Sequence, residues 1–138
     1  MTDADDEDLR MVLQRLVRRI RINRAVGDLG DTQLSVLFHL ERIGPQTPSE
    51  LAALERVTPP SMNRTVNGLE EGRYVVRTRS TDDARKVLVE LTPAATQLLL
   101  EVRRARTAWF SHHLGTLDPA ERDQLDAVIP ILRKLADS

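Results

Sequence analysis

Residues 47–92 decide the fold of this chain and read TPSELAALERVTPPSMNRTVNGLEEGRYVVRTRSTDDARKVLVELT. The stretch opens on a helix start, because Thr47 suits the cap, Pro48 suits the first helical position and Glu50 can complete a capping box. This first helix cannot continue through Pro59 and the proline that follows it. A second helix therefore has to start there.

The second helix is predicted from its own start and stop signals. Thr58 is its cap, and the proline after Thr58 occupies the first helical position. Met62, Val66 and Leu69 follow at spacings of four and three, so one side of the helix packs inward. Gly72 supplies the left-handed residue that commonly ends a helix. Two helices joined by so short a turn form a helix-turn-helix.

The outward face of the second helix carries small polar groups around one arginine. At about 100° per residue, this face holds the residues opposite the apolar side. They are Pro60, Ser61, Arg64, Asn67 and Gly68, with Asn63 and Thr65 on the flanks. Such groups reach DNA, since arginine is bidentate to guanine, asparagine to adenine, and hydroxyls bond to either. A polar surface helix is the alternative, although this face has no carboxylate before Glu70.

A basic hairpin follows the second helix. Residues 74–76 and 87–89 are rich in β-branched side chains and predict two strands. The connection between them carries four cations, which are Arg77, Arg79, Arg85 and Lys86. Attached to a helix-turn-helix, this hairpin becomes a wing that can contact phosphates or the neighbouring minor groove. Of the two acids at its tip, Asp83 is favoured over Asp82 to pair with a nearby arginine and hold the loop in shape. A solvated charged hairpin is the alternative.

These residues resemble the MarR family of bacterial transcription regulators. The matching segments are residues 51–52, 57–66, 69–77, 83–85 and 91–92, in order and nearly without gaps, and the likeness extends to the flanks. The most specific part is Asp83 and Arg85 followed by a strand and Leu-Thr. The sequence departs from the family pattern at Gly68 and Arg73, where the family more often has a larger polar residue and a bulky apolar one.

The resemblance implies a winged-helix homodimer that binds a pseudo-palindromic operator in double-stranded DNA and is often released by a small ligand. It also implies that Arg85 reaches the minor groove and that Asp83 braces it. Family effector pockets lie between the dimer helices and the DNA-binding core. A small lipophilic or aromatic effector is therefore expected, and Phe38, His39 and Trp109 are its candidate contacts, although core packing explains the aromatic side chains equally well.

The composition is that of one small helical domain. The chain has 138 residues and is 41% hydrophobic but only 3% aromatic, which indicates an aliphatic core. Its net charge of −1 argues against nucleic acid at first sight, but five of the 21 acidic residues lie in the first eight positions. The rest of the chain has 16 acidic and 20 basic residues. Of the basic residues 18 are arginine, the side chain suited to bidentate recognition of phosphates and bases.

Several functions are not expected. The chain has no cysteine, which excludes disulfides and thiolate-bound zinc. No apolar run is long enough to cross a membrane, so a cytoplasmic location is expected. No phosphate loop, nucleophile elbow or convincing carboxylate pair is present, so neither an enzyme nor a cofactor is expected. His112 and His113 point about 100° apart on a helix and cannot readily share a metal, although two chains could assemble a site together.

The N-terminal segment predicts a further helix. Residues 1–7 are expected to be frayed. Apolar positions then repeat every three or four residues, at Leu9, Val12, Leu13, Leu16, Val17 and Ile20. The opposite side is dense with arginine, at positions 10, 15, 18, 19, 21 and 24. A dimer helix with solvated cations is favoured over a membrane-surface helix, which would need aromatic anchors. Gly27 to Gly30 breaks the pattern, and Asp31 or Thr32 caps the next helix.

The C-terminal segment predicts two more helices. One opens at Thr92-Pro93 and carries a heptad-like stripe, formed by Ala95, Leu98, Val102, Ala105 and Trp109. The other follows a capping box at Asp118, and Pro130 must kink or restart it. These helices carry more apolar surface than a small core needs, which favours a homodimer. An intramolecular bundle is the alternative.

The predicted fold class is therefore mainly α with a small β-hairpin wing. A winged helix-turn-helix core at residues 31–92 lies between dimerisation helices at residues 1–30 and 93–138. The predicted function is a sequence-specific DNA-binding transcription regulator, with a repressor favoured, that binds inverted half-sites about one helical turn apart. The candidate DNA contacts are Ser61, Asn63, Arg64, Thr65, Asn67, Arg77, Arg79, Asp83, Arg85 and Lys86. The alternative is a winged-helix module that binds an acidic protein partner without specific DNA binding.

Overall fold

The computed structural model describes residues 2–22 and 29–138, where it forms six helices and one two-stranded sheet. The elements are α1 (Asp3–Ile22), α2 (Asp31–Ile43), α3 (Pro48–Glu55), α4 (Pro59–Glu71), β1 (Val75–Arg79), β2 (Val87–Leu91), α5 (Pro93–Leu114) and α6 (Pro119–Ala136). The predicted fold class is confirmed. Arg24 and the predicted break at Gly27 lie outside the described residues.

The chain divides into two compact units. The core unit is residues 25–103, and the terminal unit is residues 1–24 and 104–138. Helix α5 contributes its first half to the core unit and its second half to the terminal unit. Across residues 2–22 and 29–138, none of the helices is both long and apolar enough to cross a bilayer.

The buried side chains of the core unit are aliphatic. They are Val36, Leu37, Leu40, Leu51, Ala52, Met62, Val66, Leu69, Val75, Val89, Ala95, Leu98, Leu99 and Val102. Met62, Val66 and Leu69 are each 0% exposed, which confirms the predicted inner side of α4. Burying one such side chain contributes about 1.5–3 kcal/mol to folding, so this side fixes which face of α4 is left outside.

The caps of α3 and α4 form at the predicted residues. The Thr47 hydroxyl oxygen accepts a hydrogen bond from the Glu50 N–H at 3.1 Å, and the Thr58 hydroxyl oxygen accepts one from the Ser61 N–H at 3.3 Å. Only the threonine half of the capping box predicted at Glu50 is formed. Arg56, at φ 54°, ends α3 in the left-handed conformation and leaves a short turn before α4.

The end of α4 differs from the prediction that Gly72 is left-handed. Gly72 has φ −74°, and Arg73 takes the left-handed conformation at φ 64°. The Tyr74 N–H donates to the Leu69 carbonyl at 2.9 Å and the Arg73 N–H to the Glu70 carbonyl at 3.0 Å, the two bonds of a Schellman motif. Gly72 has a different role, because a Cβ there would lie 3.1 Å from the Tyr74 ring.

Two other helix starts also differ from prediction. Helix α1 begins at Asp3, so residues 3–7 are helical and not frayed. The Thr2 N–H and hydroxyl both donate to Asp5 Oδ2 at 2.8 Å. These bonds, the backbone one foremost, lower the pKa of Asp5.

Helix α2 is preceded by Gly30 and not capped by Asp31 or Thr32. The Gly30 N–H has no acceptor within the helix, and it donates instead to Oε1 of Gln33 at 3.0 Å.

The C-terminal helix continues without interruption through Pro130. Of the two outcomes predicted for Pro130, a kink or a restart, the restart is wrong. Asp118 and Glu121 form the predicted capping box at the beginning of the helix, with hydrogen bonds of 2.8 and 3.1 Å. Helices α1 and α6 contain no buried residue among those described.

The hairpin is longer and better supported than its sequence predicts. Strand β1 extends to Arg79, and its Arg77 lies opposite Val89 of the antiparallel β2. On the other edge of β2, the Val89 N–H donates to the Gln46 carbonyl at 2.7 Å, and the Gln46 N–H returns a bond of 3.2 Å. The segment before α3 thus adds a third backbone segment to the sheet, which stabilises a hairpin that would be marginal alone.

Thr92 connects the hairpin, α4 and α5. Its hydroxyl donates to the Arg73 carbonyl at 2.7 Å and accepts from the Ala95 N–H at 3.3 Å, while its own N–H donates to the Tyr74 carbonyl at 3.0 Å. The hydroxyl thereby caps α5 and satisfies the carbonyl of the left-handed turn.

Replacing Thr92 by valine should lower the free energy of unfolding by about 1–2 kcal/mol, because the shape is kept while a cap and a hydrogen bond are removed. Urea denaturation measures this. Thr96→Val is the matched control, since the exposed Thr96 hydroxyl makes only a 3.5 Å bond within the helix, and we expect a change below about 0.5 kcal/mol. Equal changes in the two variants would show that the Thr92 hydroxyl has no special role.

Candidate nucleic-acid interface

The residues at the centre of the outward face of α4 are exposed to solvent. Asn63, Arg64 and Asn67 are exposed, while the buried Met62 and Val66 hold the helix from behind. Within residues 2–22 and 29–138, the Arg64 guanidinium makes no hydrogen bond or ion pair. Arg64 is thus an exposed, five-donor group that is available for a bidentate contact.

The two hydroxyl side chains of this face are less free than predicted. Ser61 and Thr65 are half-buried. The Thr65 hydroxyl donates to the Ser61 carbonyl at 3.3 Å, a bond within the helix that uses its proton. Thr65 can therefore offer an outside partner only an acceptor in this conformation.

Gly68 also has a packing role within the core unit. A Cβ at this position would lie 2.8 Å from Nε2 of Gln33, the α2 side chain whose other end binds the Gly30 N–H. A side chain at position 68 would therefore require the flexible end of the Gln33 side chain to move. No local pattern in the sequence predicts that Gly68 and Gln33 lie so close together.

Arg77 bridges β1 to the end of α4. Its Nη1 donates to Glu70 Oε1 and its Nη2 to Asn67 Oδ1, each at 2.8 Å. The Arg77 side chain is 26% exposed, compared with 43% for Glu70. Two predicted DNA contacts, Asn67 and Arg77, are therefore brought together and bonded to each other. Glu70 is a member of this group that sequence reasoning missed, although its position one turn after Asn67 was a usable signal.

Arg79 is exposed and forms a hydrogen bond across the wing loop. Its Nη1 donates to the Ala84 carbonyl at 2.8 Å. The Ser80 hydroxyl accepts from the N–H groups of Asp82 and Asp83 at 3.2 and 3.3 Å, and the Ser80 N–H donates to the Lys86 carbonyl at 2.9 Å. The loop between the strands is thus held by its own hydrogen bonds.

Asp83 and Arg85 form the predicted pair at the tip. Asp83 Oδ1 accepts from the Arg85 N–H at 3.0 Å and from Arg85 Nε at 3.4 Å. The Arg85 side chain is nevertheless 93% exposed, so the carboxylate orients a cation that still points into solvent. Lys86 is also exposed. Arg79, Arg85 and Lys86 are thus exposed wing cations, whereas Arg77 is half-buried and bonded to two side chains of α4.

The candidate effector residues lie in different units. In the core unit, the Arg103 guanidinium lies 5.4 Å from the centre of the Phe38 ring and also forms an ion pair with Glu41. His39 places Nε2 at 3.7 Å from Glu55 Oε2. Phe38 thus has a cation–π partner and His39 lies near a carboxylate, both within the core unit.

Trp109 belongs to the terminal unit. The Arg19 guanidinium lies 5.6 Å from its ring centre, and the His113 ring centre lies 4.0 Å away. His113 Nδ1 is 3.0 Å from the Trp109 carbonyl oxygen. Among the residues that the structure describes, no group of three or more histidine, cysteine or acidic side chains has the arrangement of a metal site.

The chain is similar to known regulators over almost its whole length. A model of the MarR family matches residues 27–86. An HTH-type transcriptional regulator of Mycobacterium tuberculosis is 36% identical over 140 residues, which cover 99% of this chain and 98% of that protein.

Solved structures show the same fold. A MarR family protein from Bacillus stearothermophilus superposes with a TM-score of 0.79 at 18% identity, over 100% of this chain and 99% of that one. A MepR mutant of S. aureus, solved bound to an oligodeoxyribonucleotide, gives a TM-score of 0.66 at 19% identity over 96% of each chain.

Proposed function

Because the chain belongs to the MarR family and is a DNA-binding transcription regulator, we propose that it acts as a homodimeric repressor that recognises a pseudo-palindromic operator. Each α4 enters a major groove with Ser61, Asn63, Arg64, Thr65 and Asn67 toward the bases. Each wing lies beside it, with the cation of Arg85 in the minor groove.

One observation carries the proposal of sequence-specific reading. The face of α4 that carries Arg64 is exposed, although the opposite face is fully buried. An uncommitted guanidinium between two exposed amides, Asn63 and Asn67, is suited to the donor and acceptor groups of base edges. In the MepR complex a chain of the same fold is bound to an oligodeoxyribonucleotide, which supports the same use of the fold here.

The homodimer is supported by the terminal unit. Its helices α1 and α6 bury none of their described residues, and they expose large apolar side chains that water solvates poorly. In α1 these include Leu9, Met11, Val12, Leu16 and Val17, and in α6 they include Leu125, Ile129, Ile131, Leu132 and Leu135. A second copy with a two-fold axis can cover these faces and set the spacing of two recognition helices.

We further propose release by a small lipophilic or aromatic effector, with Phe38, His39 and Trp109 as candidate contacts. Titration of an effector should then perturb the fluorescence of Trp109, the single tryptophan of the chain. Control by effector is separable from DNA binding, since the operator can be bound by the protein without any ligand.

Selection of fragmented genomic DNA on the purified protein tests the proposed function. We expect enrichment of one inverted repeat whose half-sites are about 10 base pairs apart, close to a promoter in the position that blocks transcription. If no sequence is enriched, the protein does not read an operator. The alternative, a winged-helix module that binds a protein partner, would then be favoured. An operator upstream of the promoter, with transcription that rises when the protein binds, would make it an activator.

Arg85→Ala should weaken operator binding by about tenfold while leaving the fold intact, because an exposed wing cation contacts DNA and not the core. Gel-shift titrations at several salt concentrations measure this. Binding of both proteins should fall steeply with salt, and the slope of the variant should be shallower by about one if Arg85 neutralises one phosphate. Thermal unfolding provides the control, since both proteins should melt together. Unchanged operator affinity would reject the assignment of the wing.

A further inference from the structure

Arg77, predicted from the sequence to contact DNA, is occupied within the protein. Both terminal nitrogens of its guanidinium already donate at 2.8 Å, one to Glu70 and one to Asn67. Its side chain is the less exposed partner of the ion pair, at 26% against 43%. Two of its five N–H donors are thus used within the protein, in charge-assisted bonds of the short, strong kind that hold the guanidinium against the end of α4.

We propose that Arg77 is a positioning residue that fixes the side chain of Asn67 and thereby sets which base or backbone atom Asn67 selects; this inference rests on the proposed function. The chemistry of the pair fixes the orientation of the amide. Arginine has only donors, so the oxygen of the Asn67 amide has to face it. The Asn67 NH₂ group is then turned away from Arg77, on the exposed face of α4.

This orientation changes what Asn67 can recognise. An asparagine that reads adenine uses its oxygen to accept from N6 and its nitrogen to donate to N7. In this chain the Asn67 oxygen lies 2.8 Å from a guanidinium, whose own donors would meet the donor at N6 of adenine. Asn67 is therefore a donor toward DNA. It selects an acceptor, which is N7 of either purine, guanine O6, thymine O4 or a phosphate oxygen.

Glu70 completes the arrangement. It follows Asn67 by three residues on α4, so both side chains face β1 from the same side of the helix. Its carboxylate accepts from Nη1 of Arg77 and keeps the guanidinium from turning toward solvent. The group Asn67, Glu70 and Arg77 thus joins the end of the recognition helix to the base of the wing.

Nuclear magnetic resonance of the free protein tests, without DNA, whether Arg77 positions the side chain of Asn67. The side-chain NH₂ signals of Asn67 are identified by their disappearance in Asn67→Ala. We expect them to shift in Arg77→Met, which keeps the length of the side chain but removes its donors. Arg122→Met is the matched control, because Arg122 pairs with Asp126 on α6 in the other unit and should leave these signals unchanged. If Arg77→Met also leaves them unchanged, Arg77 does not position Asn67.

Selection of bound sequences from a random duplex library tests what Asn67 reads. The wild-type chain should prefer guanine, thymine or either purine at one position of each half-site, and Asn67→Ala should remove this preference if the acceptor is on a base. If the acceptor is a phosphate, Asn67→Ala should weaken all sequences equally. A preference for adenine over guanine that disappears in Asn67→Ala would overturn the proposal, because only the N6 donor distinguishes the two purines at this edge.

The double variant separates positioning from direct contact. If Arg77 acts through Asn67, Arg77→Met should change the preference or affinity of the wild-type chain but have no further effect in an Asn67→Ala background. If Arg77 contacts a phosphate directly, Arg77→Met will weaken binding and lower the salt slope in both backgrounds, which overturns the proposal. Failure of the wild-type chain to enrich any duplex would instead reject the proposed function. The shift of the Asn67 NH₂ signals would still show whether Arg77 positions Asn67.

Discussion

Leu132→Glu is expected to convert the protein to a monomer and to lower operator affinity by on the order of 100-fold or more, since a single chain cannot bind two half-sites together. Leu132 lies on α6, where Leu125, Ile129 and Leu135 are also exposed. A glutamate placed among these side chains and covered by a second copy would be a buried, unpaired charge. Light scattering measures the mass, and titration of the full operator measures the affinity.

The control is made at the same position. Leu132→Met keeps the volume and the apolar character, so it should remain dimeric and bind as the wild-type chain does. Because Leu132 is 38% exposed in the single chain, neither substitution should unfold the protomer, and circular dichroism can verify this. A glutamate variant that keeps twice the mass of the chain would show that the dimer uses another surface.

Arg64→Ala is the second substitution with a large expected effect. We expect binding to the preferred operator to weaken by about 1–3 kcal/mol and the preference at one base pair to relax, because a bidentate contact to guanine is removed. Competition titrations with operators changed at single positions measure both quantities. Uniform weakening on every sequence would show that Arg64 contacts the backbone and does not read a base.

Arg64→Lys distinguishes charge from shape. Lysine keeps the positive charge but lacks the planar fork, so it should recover the nonspecific part of the affinity and not the full discrimination between bases. Full recovery of discrimination would show that a single donor at this position is enough.

The parts of the fold that follow a local period could be predicted from the sequence. The inward side of α4 is an example, since Met62, Val66 and Leu69 repeat at helical spacing and are all buried. The bond of Asp83 to a nearby arginine is another, and the resemblance to the MarR family named Arg85 as that arginine. The threonine caps at Thr47 and Thr58 likewise depend only on neighbours within three residues.

Interactions between elements could not be predicted in this way. The partners of Arg77 are seven and ten residues away along the chain and come together only after α4 has ended and β1 has turned back. Helix α4 ends where its stop signal predicts, yet the left-handed residue is Arg73 and not Gly72. The glycine lies close to the Tyr74 ring, which a Cβ at position 72 would approach to 3.1 Å, and no helix-stop rule contains this proximity.

The hydroxyl of Thr92 has a mechanical consequence. Through bonds of 2.7 Å to Arg73 and 3.3 Å to Ala95, it connects the turn after α4 to the first turn of α5, while the Thr92 N–H connects to Tyr74 at the root of β1. Three elements thus share hydrogen bonds to one residue. We therefore expect a displacement at the start of α5 to be transmitted to the end of α4 and the root of β1 together, and so to the proposed contacts with both grooves.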